Sequence, residues 1–499
     1  MTKSIKKNIL LTSLTALLSQ LTSVITAILL PRLLIIYFGS DLNGVVSAAR
    51  QFTSYLTMID SGLYAATCYR FIIAFNNNDL QRINDLFVTA GSFFKRVAYV
   101  LTALSTVVIF GYAMLAEGEV NAYLVAYIFI MYALGTIVAY FGYFKYNLVM
   151  YSAGEQYKIT AVCIFFNLAS VLAQYVAIKI GLGIIIAVLI HPLGVICRLV
   201  VLKKMTVKSF PYLSVKEGRV DNSLISQKWD SIIMNIADSM KTFAPILCIS
   251  VFFTFSHVSV FSIYESILHF GSSLLVLSLN GLTPIFGKNL VQCTDESRDQ
   301  FRKLYTAVIL ISGIICTCFF SMIGNFMKLY IGNEADVNYI YPMLATLMII
   351  NVWLLMVRTS YDLLIKANGY IKELKNGAVI EIAISLVLSF AFAYFLGFEY
   401  VPLGIIASSL YRTIRMAIFC VKKLEYGKNI IKDLLLWFVI TSVISAICVA
   451  ITPGINNWLT FILLAAAVFT VTLMLYVICG FVASKALRDY IKVLIKKRA

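Results

Sequence analysis

Between residues 9 and 482 the chain is a succession of apolar runs separated by short polar breaks. A helix rises 1.5 Å per residue, so about 20 consecutive apolar residues cross the hydrocarbon core of a bilayer. Reading the runs between their breakers gives about fourteen candidate spans. They fall at 9–37, 44–75, 92–116, 120–149, 159–179, 182–202, 229–254, 258–287, 304–329, 340–366, 374–396, 401–421, 433–452 and 457–482. Several exceed the minimum, which tilt or extension beyond the bilayer accommodates. The pattern predicts an all-α polytopic membrane protein.

Composition agrees. The 499 residues are 61% hydrophobic and 13% charged, with a mean hydropathy of +0.89. A soluble chain of this length needs more charge to cover its surface. The net charge of +17 would in a soluble protein raise nucleic acid as a partner. Here the basic residues sit in short connections, and no basic face with interleaved stacking aromatics lies outside the apolar runs, so nucleic acid is not expected.

The alternation of the connections sets the orientation. One series carries Lys203, Lys204 and Lys208, then Arg298, Arg302 and Lys303, then Lys422, Lys423, Lys428 and Lys432, with Arg82, Lys95 and Arg96 earlier. The other reads GSDLN, AEGEV, IGNEADVN and FEYVP, with Lys179 the main exception. The positive-inside rule then places both termini in the cytoplasm. The basic start MTKSIKKNILLTSL runs without a cleavage site into the first apolar run, which we read as a span and not a removable signal peptide.

The longest internal connection, within 206–225, divides the chain into a lobe at 1–205 (helices 1–6), a linker, a lobe at 226–425 (helices 7–12) and two extra helices with a basic tail at 426–499. An internal echo supports the division. Pro31 and Pro245, Tyr157-Lys158 and Ile371-Lys372, and Arg198 and Arg412 are each separated by 214 residues. Such a parallel repeat implies two lobes related by a pseudo-two-fold axis along the membrane normal.

Ionised side chains inside spans cost about 2.5–3.5 kcal/mol on insertion scales and mark function by default. Arg32, Arg50 and Asp60 fall in the first two spans; Asp238, Lys241, Glu265 and His269 fall in the seventh and eighth; Lys145, Arg358 and Asp362 fall in the fourth and tenth. Hydroxyls follow them: Thr12, Thr15, Ser19, Thr22 and Thr26 form one stripe, and Ser47, Arg50, Ser54, Thr57 and Ser61 another. Stripes of this kind suit helices that line a wet cavity. Each residue also has a plainer role. Arg32 and Arg50 can snorkel to headgroups, Asp60 can distort its helix before Ser61-Gly62, and Asp238–Lys241, Glu265–His269 and Arg358–Asp362 can neutralise one another at helical spacing. Hydroxyl stripes can equally glue helices together.

Absences narrow the chemistry. No G-x-x-x-x-G-K-[ST] occurs, so no P-loop binds ATP. Glycines 181 and 183 read as a helix–helix turn, and His191-Pro192 as a packed or kinking site. The ten cysteines show no metal or disulfide spacing, and no catalytic cluster stands on an outer loop, so neither a metal, a cofactor nor an enzyme is expected.

The opening stretch resembles polysaccharide transporters. The likeness rests on Asn8, the Pro31 run ending in Gly39, Asn43-Gly44 and Asp60-x-Gly62. A second stretch, KANGYIKELKNGAVIEIAISLVLSFAFAYFLGFEYVPLGIIASSLYRTIR, is similar to the eleventh and twelfth helices of that family, with Glu381 opening a helix and Leu403-Gly404 the next. These are the Wzx-type oligosaccharide flippases of the multidrug/oligosaccharidyl-lipid/polysaccharide exporter superfamily. The resemblance implies alternating access around a cavity lined by helices 1, 2, 7 and 8. It implies undecaprenyl-pyrophosphate-linked repeat units as substrate, and membrane lipids, a polymerase and glycosyltransferases as partners. The setting would be a bacterial inner membrane, the product O-antigen or capsule. Arg32, Arg50, Lys241 and Arg358 are the expected phosphate or sugar ligands; Asp60, Asp238, Glu265 and His269 the expected ion-coupling groups, for H+ or Na+. The carboxylates also leave open a multidrug/cation antiporter, and the pyrophosphate a peptidoglycan-precursor flippase. A membrane glycan ligase or acyltransferase is the remaining alternative.

Overall fold

The computed structural model describes residues 3–58, 61–116, 120–213, 218–220, 243–290, 295–332, 334–368, 370–424, 426 and 430–483. Every regular element among them is helical. The helices are α1 (Lys3–Phe38), α2 (Ser40–Met58), α3 (Ser61–Asn76), α4 (Leu80–Leu115), α5 (Ala122–Val138), α6 (Phe144–Ser152), α7 (Gln156–Lys179) and α8 (Gly183–Ser209). There follow α9 (Phe243–Phe252), α10 (Phe255–Leu290), α11 (Asp295–Ile331), α12 (Pro342–Ala367), α13 (Ile371–Leu396), α14 (Pro402–Lys423), α15 (Ile430–Ile451) and α16 (Trp458–Ala483).

Among the described residues, eleven helical stretches are long and apolar enough to cross a membrane, and each answers to one of the expected spans. The other three expected spans take different forms. Of the second, the described residues form α2 and α3, and 59–60 lie outside them; the eighth is the 36-residue α10; of the seventh, only its end, α9, lies within the described residues. The third begins earlier than the apolar run does, at Leu80. There Asp79 caps the helix by accepting a hydrogen bond from the Arg82 amide at 3.0 Å. Arg82, Lys95 and Arg96 therefore ride on α4 and not in a connection. Between α7 and α8, Gly181 and Gly183 both take positive φ, 82° and 81°, which explains the Gly-Leu-Gly turn.

Two compact units emerge: residues 1–243 with 253–259, and residues 244–252 with 260–499. In the first, α7 pairs with both α8 and α1, while α5 packs on α2, α4 and α8. The Asn43-Gly44 motif has a packing cause. A Cβ at Gly44 would collide with the Phe255 carbonyl, and the Asn43 amide donates to Ser259 Oγ at 2.7 Å. Small residues of this kind let helix backbones approach where no hydrophobic force drives them together.

In the second unit, α11 packs against α12, α15 and α16. The last two are tied on by hydroxyls: Thr317 Oγ1 lies 3.0 Å from both Ser445 Oγ and Tyr476 Oη. The α13–α14 pair and α12 are clasped by charge. Glu381 lies inside α13 and not at a helix start; there it is buried at 1% exposure. Its two oxygens accept from Arg358 Nη1 at 2.7 Å and from Arg412 Nη1 at 2.6 Å. Arg358 thus reaches across to α13 instead of pairing along its own helix, and Asp362 bonds Lys366 at 2.5 Å. A carboxylate out of reach of water has to be neutralised from neighbouring helices, and it draws the nearest guanidiniums to itself.

Replacing Glu381 by alanine leaves Arg412, 2% exposed, without that carboxylate. The expected loss is about 3–5 kcal/mol of stability. Thermal unfolding in detergent should show a marked drop, recovered in large part when Arg358 and Arg412 are also made apolar.

Candidate functional site

A cavity of about 340 Å³ lies within the first unit. Its walls follow helical spacing: Ser23, Thr26, Ala27 and Leu30 from α1; Arg50 and Thr53 from α2; Asn167, Ser170, Val171 and Gln174 from α7; His191, Gly194, Val195 and Arg198 from α8. Tyr132 of α5 and Phe166 of α7 complete it.

Local packing holds His191 and Arg198. His191 stacks on Tyr132, ring centroids 4.5 Å apart, and Gly135 leaves room for the imidazole, since a Cβ there would stand 3.2 Å from it. Pro192 follows within α8. It donates no backbone hydrogen bond, which loosens the helix beside the cavity. The Arg198 guanidinium lies 4.6 Å from the centre of the Tyr143 ring, and Tyr143 Oη meets Cys163 Sγ at 3.2 Å. Tyr143 ends a π-helical turn, Ala139–Tyr143, inserted between α5 and α6. Turns of this type recur at functional sites.

The hydroxyls are not idle donors. Thr26 Oγ1 gives its proton to the Thr22 carbonyl at 2.8 Å, Ser23 to Ser19 at 3.0 Å, and Thr53 to Ala49 and Arg50 carbonyls at 3.0 Å. The α1 stripe is therefore largely satisfied along its own helix. What remains to meet a ligand is cationic and amide. Among the described residues neither Arg50 nor Arg198 pairs with a carboxylate, and the buried Arg198 Nε and Gln174 Oε1 have no hydrogen-bond partner. Two guanidiniums with no carboxylate partner among the described residues favour an anion with several oxygens.

The 214-residue offset makes the contrast sharper. It carries Arg198 to Arg412, and it carries Asn167 of the pocket to Glu381. The second unit closes its arginine with a carboxylate; the first has an amide at the corresponding place on α7 and leaves the arginine open.

Of the residues singled out from sequence, Arg50 lines the pocket. Arg32 is half-buried on α1 and does not line it. Arg358 is held by Glu381 in the second unit, where Glu265 is half-buried and His269 exposed on α10. Asp60, Asp238 and Lys241 lie outside the described residues. His191 and Arg198 were missed as ligands, although the spacing His191–Gly194–Val195–Arg198 puts both on one face of α8.

No protein-family model matches the chain, and no curated protein does at a significant level. Solved structures match its shape. The lipid II flippase MurJ in an inward closed conformation superposes with a TM-score of 0.71, at 12% identity, over 97% of this chain and 100% of that one. An inward-facing multidrug resistance MATE family transporter of the MOP superfamily gives 0.66 at 11%, over 81% and 94%. A mutant of the Vibrio cholerae MATE transporter VcmN gives 0.57 at 14%, over 84% and 98%. The chain has the fold of these transporters.

Introducing the missing carboxylate tests the pocket. Asn167→Glu should neutralise Arg198, weakening inorganic pyrophosphate binding measured by calorimetry about 10-fold or more, as expected for loss of a charged hydrogen bond. Its thermal stability should hold or rise, whereas Arg198→Ala should lose the binding without any gain in stability.

Proposed function

We propose that this chain is a flippase that moves undecaprenyl-pyrophosphate-linked oligosaccharide repeat units from the cytoplasmic to the outer leaflet by alternating access, for O-antigen or capsule assembly. The observation that carries the reading is the pair Arg50 and Arg198, on a pocket whose described lining has no carboxylate. The pocket is sized for a phosphate-bearing group and not for a whole oligosaccharide, so it would hold the pyrophosphate while the sugars extend beyond it. His191 adds a third nitrogen ligand, and Asn167 and Gln174 add amides for the remaining oxygens.

The fold shared with a lipid II flippase and with multidrug transporters is compatible with this reading and with its rivals. A cation antiporter needs an anionic pocket, which the described lining lacks. A peptidoglycan precursor carries the same pyrophosphate, so the pocket alone serves either lipid, and genetic evidence has to separate them. We place the chain in a bacterial inner membrane with both termini cytoplasmic, working beside glycosyltransferases and a polymerase. Without an ATP motif the energy would come from downstream consumption of the flipped lipid or from an ion gradient. Asp60, Asp238, Glu265 and His269 are the groups proposed for H+ or Na+ coupling, with Arg32 and Lys241 as further phosphate ligands.

Deleting the gene should make lipid-linked repeat units accumulate facing the cytoplasm while peptidoglycan synthesis continues. Complementation with Arg50→Ala at normal protein level should leave surface glycan at the deletion baseline, and sensitivity to cationic drugs should not change. Restored glycan export by that variant would sink the proposal.

A further inference from the structure

The second unit has a crevice of its own. It measures about 400 Å³ and opens at the junction of α12, α13 and α14, where α12 ends and α13 begins. On α14, Arg412, Arg415, Phe419 and Lys422 follow one another at three- and four-residue spacing, so their side chains share one face. Lys423 joins them. Arg412 is engaged by Glu381, but Arg415, Lys422 and Lys423 have no carboxylate partner among the described residues.

Two of the three are held in place by an aromatic neighbour. Arg415 Nη1 donates to Tyr411 Oη at 3.0 Å, and Gly377 of α13 clears space beside it: a Cβ there would stand 3.7 Å from the guanidinium. Lys423 Nζ lies 4.7 Å from the centre of the Tyr370 ring, and Lys422 is exposed. The remaining walls are apolar. One of them, Ile418, is 37% exposed, as is Ile414 next along the outer face of α14.

We infer that this crevice binds the headgroup of an anionic bilayer phospholipid. A cationic rim over apolar walls matches a phosphate joined to acyl chains. A soluble phosphate would leave the apolar part of the crevice wet. Basic pockets between membrane helices at the lysine-rich end recognise such headgroups. The crevice lies in the other unit from the pocket of Arg50 and Arg198, and the inference does not depend on what that pocket carries.

The test uses the full chain in detergent, titrated with phosphatidylglycerol or phosphatidylcholine and read by native mass spectrometry. Wild type should bind phosphatidylglycerol, and the double variant Arg415→Gln, Lys422→Gln should bind it about 30-fold more weakly at low salt. Gly377→Leu, which fills the crevice and keeps every charge, should lose the same binding. It therefore decides the matter if the double variant fails to fold. Equal binding of phosphatidylcholine, undiminished binding by Gly377→Leu, or displacement of the lipid by millimolar inorganic phosphate would each overturn the assignment.

Discussion

Glu381 takes a hydrogen bond from a guanidinium on each side, and the three groups lie where water does not reach them freely. An ionised side chain in that setting has two options: a partner of opposite charge within the protein, or one that arrives from outside. The second unit takes the first option. It binds α12, α13 and α14 together through a single carboxylate. The first unit, with Arg198 at the matching place and Asn167 in the carboxylate's stead, leaves its arginine open to the second. One arginine is a structural rivet and the other is left without a carboxylate, and the difference is the identity of a residue on the neighbouring helix.

The helices were legible because apolar length is a strong signal that no tertiary contact overrides. Among the described residues, eleven spans recur at their expected places. The early start of α4 was not legible, since hydropathy records where a helix is oily and not where it begins. Asp79 marks the start of α4 through its cap, a feature of one side chain and one amide.

The site was half legible. Arg50 stands out as a cation inside an apolar run, and the structure puts it on the pocket. Arg198 lies close to the lysine-rich end of α8, where arginine is expected anyway, so its depth and lack of a partner could not be read. His191 reads as a packed residue and is one, stacked on Tyr132, yet it also borders the cavity. Arg358 shows the opposite case. Its neighbour at helical spacing suggested a local pair, but a buried carboxylate on another helix attracts it more strongly. Charge partners chosen across helices leave no trace in sequence spacing.

The π turn at Ala139–Tyr143 imposes a constraint on chain length. It accommodates one residue more than a regular helix holds, and Tyr143 reaches the Arg198 guanidinium from its far end while Tyr140 donates to the Leu56 carbonyl at 2.7 Å. Excision of a single residue would let the segment relax to uninterrupted α-helix, a better local structure. It would also rotate everything downstream by about 100°, carrying the aromatic ring off the arginine. The extra residue acts as an angular spacer, and its removal would give a sounder helix and a blinded pocket.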